Sequence, residues 1–174
     1  LIFHNIAPPE LFENFAPDRA ALLRKGWDEL SSLREKVTLS IADSKYNAQC
    51  LEKIGYQNIV VLPAGAQANR LHNHKSDVDM KRLLERETVG PLLLYVGQAL
   101  PHKRPEVLVQ MQYLLTHHIG RTTSLALAGP PTLPQINAAA LEQARRLRVP
   151  GCLFLGQLTE NQLATLYRKA SIFI

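Results

Sequence analysis

The sequence predicts an α/β protein, with parallel sheets flanked by helices, and two observations carry that prediction. Short apolar runs alternate with amphipathic segments of about 10–15 residues, the spacing of βαβ units on a parallel sheet. That alternation stops once, over residues 64–90, and then restarts, so the chain reads as two α/β pieces joined by a link. Crossovers between parallel strands are expected to be right-handed.

Residues 1–3 read as the end of a buried strand. Residues 4–9 are the loop at its C-terminal end, because Pro8 and Pro9 continue neither a ladder nor a helix interior. A short helical turn over 10–15 precedes a helix over 17–36. There Pro17 and Asp18 mark the start, and Leu22, Leu23, Trp27, Leu30 and Leu33 recur at helical steps. Residues 37–42 form a short strand. Asp43-Ser44 supply an N-cap for a helix over 45–53, Gly55 stops it, and 58–62 is the next strand. The stretch 64–90 is small, polar and charged, with one helix over 77–87. Beyond it, strands over 92–96, 124–127 and 152–155, and one starting at 171, alternate with helices over 105–115, 135–148 and 160–169.

Composition narrows the class. With 46% hydrophobic and 20% charged residues, nine glycines and eleven prolines, the 174-residue chain is neither disordered in bulk nor collagen-like. Its longest apolar stretches, such as residues 91–97, fall far short of the roughly 20 residues of a membrane helix. The chain opens on Leu1-Ile2-Phe3-His4 without a basic leader, and both ends look like the inside of a strand. It is therefore expected to be a piece of something larger, the first α/β piece lacking its beginning and the second its end. Cys50 and Cys152 make no disulfide framework and no metal spacing, which suits a reducing cytoplasm. Charge is uneven. Residues 1–88 hold 12 basic and 12 acidic side chains and residues 89–174 hold 8 and 3, so the second part carries the whole net +5. That suits an anionic partner such as a nucleotide, a phosphate or a lipid headgroup, and equally suits simple solubility.

Ligands of open α/β sheets bind beyond the C-terminal ends of the strands, which selects the loops at 4–5, 43–44, 63–66, 97–104, 129–134 and 156–159. In the most pointed of them, Gly97 permits close approach by a ligand and Lys103 and Arg104 offer cations at the start of the next helix. Its two readings are a phosphate site and a solvated basic loop. Gly129-Pro130-Pro131 is a similar loop without adjacent charge. The glycine fingerprint of dinucleotide folds, the phosphate loop ending in Gly-Lys-Ser/Thr, zinc spacing and a serine-nucleophile elbow are all missing. His4, where a strand meets its loop, reads as a structural histidine or as a proton acceptor and sugar contact. His72 and His74 lie in the polar link, and His117 and His118 follow a helix.

Three segments carry a resemblance. They are His4-Asn5-Ile6-Ala7-Pro8-Pro9-Glu10-Leu11-Phe12; Ala42-Asp43-Ser44-Lys45-Tyr46-Asn47 with Cys50-Leu51; and Leu94-Tyr95-Val96-Gly97 through Lys103-Arg104, with Gly156-Gln157-Leu158 and the run from Leu163 to Ala170. In order and spacing they resemble the retaining nucleotide-sugar-dependent glycosyltransferases with two facing Rossmann-like domains (GT-B type), family 4 or group 1. The resemblance covers nearly the whole chain. It implies that residues 1–63 are the C-terminal part of the acceptor-side domain, 64–90 an interdomain link with a short helix, and 91–174 the N-terminal part of the donor-side domain.

By the same resemblance, Lys103 contacts the donor diphosphate and His4 helps place the transferred sugar, the two catalytic assignments. Gly97, Gln98, Lys103, Arg104, Gly129, Gly156 and Leu158 fall at the nucleotide-sugar site. Where the family has an arginine directly after the strand-end glycine, this chain has Gln98, and only an arginine brings charge to a phosphate leaving group. Either Arg104 or another cation compensates, or the chain is a non-catalytic relative that binds nucleotide or a partner. The family's two-glutamate motif would follow the strand starting at Ser171, and its glycine-rich loop would precede Leu1. The chain alone is therefore expected to be inactive.

The implied reaction moves a glycosyl group, with retention, from a nucleotide-diphosphate sugar to a hydroxyl of a sugar, polysaccharide or lipid-linked acceptor. No tightly bound cofactor and no metal are expected. Nor is nucleic acid, because the basic half has no aromatic stacking platform. The implied place is cytoplasmic, in polysaccharide biosynthesis, with peripheral contact at the inner membrane face through Arg145, Arg146 and Arg148.

Overall fold

The computed structural model describes residues 1–65 and 73–174 and divides the chain into two compact units, Leu1–Gln67 and Ala68–Ile174.

In the first unit, β1 (Ile2–Phe3), β2 (Ser40–Ala42) and β3 (Ile59–Val61) form a parallel sheet in chain order, with α1 (Pro17–Leu33) and α2 (Lys45–Lys53) as crossovers. Ile2 lies opposite Ile41 and Phe3 opposite Ala42. Pro17 opens α1 where its missing N–H costs nothing. Ser44 caps α2 by accepting from the Asn47 amide at 3.1 Å. The helix ends where Gly55, at φ +91°, gives its amide to the Glu52 carbonyl at 3.0 Å. Phe3, Leu30, Ala42, Ala48, Leu51 and Tyr56 form the core, with Trp27 edge-on to Phe3 and the Tyr56 hydroxyl bonded to the Leu30 carbonyl at 2.7 Å. The strand expected from residue 37 begins only at Ser40. Residues Arg34–Lys36 extend α1 as a tighter 3₁₀ turn, and residues 37–39 lead from it to the sheet without a ladder partner.

In the second unit, four parallel strands are ordered β6-β5-β4-β7: β4 (Leu92–Val96), β5 (Ser124–Ala128), β6 (Cys152–Gly156) and β7 (Ile172–Phe173). Alternate residues of the central strands face opposite ways. Leu92, Leu94, Ala126 and Ala128 pack with Met80 and Leu84 of α3 (Val78–Glu87) and Leu166 of α6 (Glu160–Lys169). Leu93, Leu125 and Leu127 pack with Val109 of α4 (Pro105–His117) and Ala144 of α5 (Pro134–Leu147). The sheet is covered on both faces, which is why its strands read as apolar runs and not as alternating patterns.

Of the expected link over 64–90, residues 66–72, His72 among them, lie outside the described residues. The helix within it, α3, is built into the second unit. Asp77 caps it by accepting from the Met80 amide at 2.8 Å, and the Asp77 amide in turn donates to Thr165 on α6 at 2.7 Å. Met80 and Leu84, one turn apart, are both buried against β4. Just before it, His74 meets Asn161 of α6 at 3.2 Å. Among the described residues, no helix is long and apolar enough to cross a membrane.

Candidate functional site

The strand order of the second unit fixes where a ligand can enter. From β4 the chain steps outward to β5 and β6, then returns to the other side of β4 for β7, so the order reverses at β4. A crevice opens at such a reversal, beyond the C-terminal ends of the strands. At this end of the sheet, over β4, β5 and β6 and not on the β7 side of β4, Gly97, Gly129 and Gly156 line a cleft of about 130 Å³ with Tyr95, Phe154 and Asn137.

Backbone approach explains the glycines. Gly129 has φ +138°, and a Cβ there would collide with the carbonyl oxygen of Gly97. At Gly97 a Cβ would run into the Tyr95 hydroxyl. The loops are also laced together: the Gly97 amide donates to Ala128 at 2.8 Å, the Ala99 amide to Pro130 at 3.3 Å, and the Gly129 amide to Gly156 at 2.8 Å.

The charged residues of the loop stand between two cleft-lining residues, Ala99 and Pro105. Residues Pro101–Lys103 form a 3₁₀ turn, and Arg104 is the N-cap of α4 in a left-handed conformation, φ 49° and ψ 52°, directly before a proline. Both cations are exposed. Arg104 is held by Glu106, Nε to carboxylate, at 2.6 Å. Lys103 has no ion-pair partner among the described residues. Gln98 is exposed and tied down: its Oε1 accepts from the Thr132 hydroxyl at 3.1 Å, a bond across to the β5 loop. Leu158 does not reach the cleft. It packs against the core on the α3 and α6 side of the sheet.

In the first unit, His4 follows β1 and is largely exposed. Its Nδ1 lies 3.4 Å from one carboxylate oxygen of Asp43, and the other oxygen accepts from Asn47 Nδ2 at 2.5 Å. The Asn47 hydrogen bond, with smaller help from His4 and Ser44 against a desolvation cost, holds the Asp43 carboxyl below its usual range. Asn5, next to His4, has φ +99° and turns the chain off the sheet.

Three glycines that the resemblance assigns to the nucleotide-sugar site, Gly97, Gly129 and Gly156, line one cleft together with Tyr95, Asn137 and Phe154, to which the sequence reading gave no role. Asp43 read as part of a helix cap in a strand-end loop and a family-like segment, with no partner named for it. Its pairing with His4 spans 39 positions and follows from strand register. Among the described residues, no group of three or more His, Cys, Asp or Glu side chains is placed to hold a metal ion.

No family model matches the sequence, and no curated protein does. Solved structures do. A glycosyltransferase from Rickettsia africae superposes with a TM-score of 0.68 at 16% identity, over 95% of this chain and 52% of its own. Anabaena HepE, solved with UDP and glucose, gives 0.69 at 15% identity, over 99% of this chain and 45% of its own. A UDP-forming trehalose-phosphate synthase from Burkholderia xenovorans gives 0.68 at 16%, over 99% and 46%. The chain therefore has the α/β fold of GT-B type glycosyltransferases, and spans about half the length of the structures it resembles.

Proposed function

We propose that this chain is the central part of a nucleotide-sugar-dependent glycosyltransferase that retains anomeric configuration, the first unit on the acceptor side and the second on the donor side. The observation that carries the reading is the cleft beyond the C-terminal ends of β4, β5 and β6, bordered by a loop whose Lys103 is exposed and free of an ion pair among the described residues. A diphosphate there would meet Lys103 and, once released from Glu106, Arg104. Positive charge at that place stabilises the negative charge that develops on the leaving nucleotide diphosphate. The three glycines let phosphate or ribose approach the backbone. His4, in the first unit, is assigned a hydrogen bond to a sugar hydroxyl. The acceptor is a sugar, a polysaccharide or a lipid-linked hydroxyl compound.

A turnover assay of the parent enzyme against a panel of UDP-, GDP- and ADP-sugars tests this reading. Lys103→Ala is expected to lower kcat/KM by about 10- to 100-fold, as loss of a charge-assisted phosphate contact does. Turnover equal to that of the unsubstituted enzyme would remove Lys103 from the mechanism.

A second reading has its own observation. Gln98 brings no charge, and its side-chain oxygen accepts from the Thr132 hydroxyl. A protein that binds nucleotide without turning it over would be built this way. Calorimetry with nucleoside diphosphates separates the two: binding without turnover of any donor favours the second.

A further inference from the structure

The parallel register of the first sheet sets Phe3 opposite Ala42, so the residues that follow, His4 and Asp43, leave adjacent strand ends side by side. We propose that Asp43, braced by Asn47, is the positioning residue of His4: it accepts the Nδ1 hydrogen bond and leaves Nε2 as a hydrogen-bond acceptor at the open end of the sheet.

The assignment follows from what each atom can do. An ionised carboxylate only accepts, so a neutral imidazole whose Nδ1 lies 3.4 Å from Asp43 Oδ2 must carry its proton on that nitrogen. The carboxylate stays ionised through the bond that Asn47 Nδ2 donates to its other oxygen. Asn47 is buried on the first turn of α2, and its own amide is fixed by the Ser44 cap, so the brace belongs to a rigid element. Exposure divides the pair in the same sense. The Asp43 side chain is 24% accessible and that of His4 70%, so the anchor is partly sheltered and the ring reaches outward. With Nδ1 committed, Nε2 presents a lone pair, and the partner it selects is a hydroxyl that donates. Seating a sugar hydroxyl in this way rests on the glycosyl-transfer reading; the tautomer does not.

The test reads the tautomer first. Long-range proton–nitrogen correlation spectra of the ¹⁵N-labelled chain at pH 8 report which ring nitrogen of His4 bears hydrogen. The Nδ1–H form is expected, against the Nε2–H form that free histidine favours, and Asp43→Ala is expected to return the ring to the latter. An Nε2–H ring in the unsubstituted chain overturns the proposal by itself, whatever the variant does. So does an Nδ1–H ring that persists in Asp43→Ala. In the parent enzyme, Asp43→Ala and Asn47→Ala are each expected to raise the donor KM by about three- to tenfold, with a smaller change in kcat, as loss of one hydrogen bond implies. Unchanged kinetics with an altered tautomer would overturn the functional half. An Nδ1–H ring in a protein that turns over no nucleotide sugar would sustain the positioning and overturn glycosyl transfer.

Discussion

At the scale of single residues, two positions carry more than their chemistry alone announces. Gly129 is required twice, by φ +138° and by the Gly97 carbonyl pressed against the place of its missing side chain. Gly129→Ala is expected to destabilise the second unit by at least about 2 kcal/mol, since backbone cannot yield as a flexible side chain does. A urea melt followed by circular dichroism would show the midpoint falling, and an unchanged midpoint would mean that the loops shift freely. Cys152 is the opposite case, a residue whose chemistry is suppressed. Burial pushes its thiol up to about 12, so at pH 8 almost none of it is thiolate. The native chain is expected to leave Cys152 unmodified by a disulfide reagent that labels it promptly in guanidinium. Fast labelling of Cys152 in the folded chain would contradict the packing around it.

Elements explain why some of this was legible and some was not. The strand 92–96 and the stop at Gly55 were readable because apolar runs and caps are local signals. The helix over 77–87 was equally readable as a helix, from Met80 and Leu84 one turn apart. Its destination was not, because a helix flanked by polar residues looks the same in a link as against a sheet. The His4 and Asp43 pair lay beyond reach for a related reason: neither residue announces a partner until β1 and β2 are in register. Gln112 is a third such case, a polar residue on α4 that is fully buried. Its Nε2 donates to the Thr123 carbonyl at 2.8 Å and to the Pro150 carbonyl at 2.6 Å, pinning the segments that lead into β5 and β6. Gln112→Leu keeps the bulk and removes both bonds. It is expected to cost about 1–3 kcal/mol in a urea melt, because the buried Thr123 carbonyl and the part-buried Pro150 carbonyl each lose this donor. A neutral outcome would assign the pinning to the strands alone.

For the whole molecule, the partition of charge is the simplest guide to a partner. The net +5 falls in residues 89–174, and the second unit also holds the cleft bordered by Lys103 and Arg104. Because both cations are exposed, the diphosphate attraction proposed for them would be screened by salt. On the proposed function, nucleoside diphosphate affinity is expected to fall severalfold between about 50 and 300 mM salt, read by calorimetry, whereas salt-independent binding would point to buried contacts instead.

The register of β1 and β2 has one more consequence, for how such a chain can change over time. Between His4 and Asp43 runs a long excursion through α1, which can gain or lose residues without moving either strand end. A single residue inserted within β1 or β2 is another matter, because side chains alternate and a one-step slip turns the following residue to the opposite face. Length variation in this half of the chain should collect in the excursion and stay out of two very short strands.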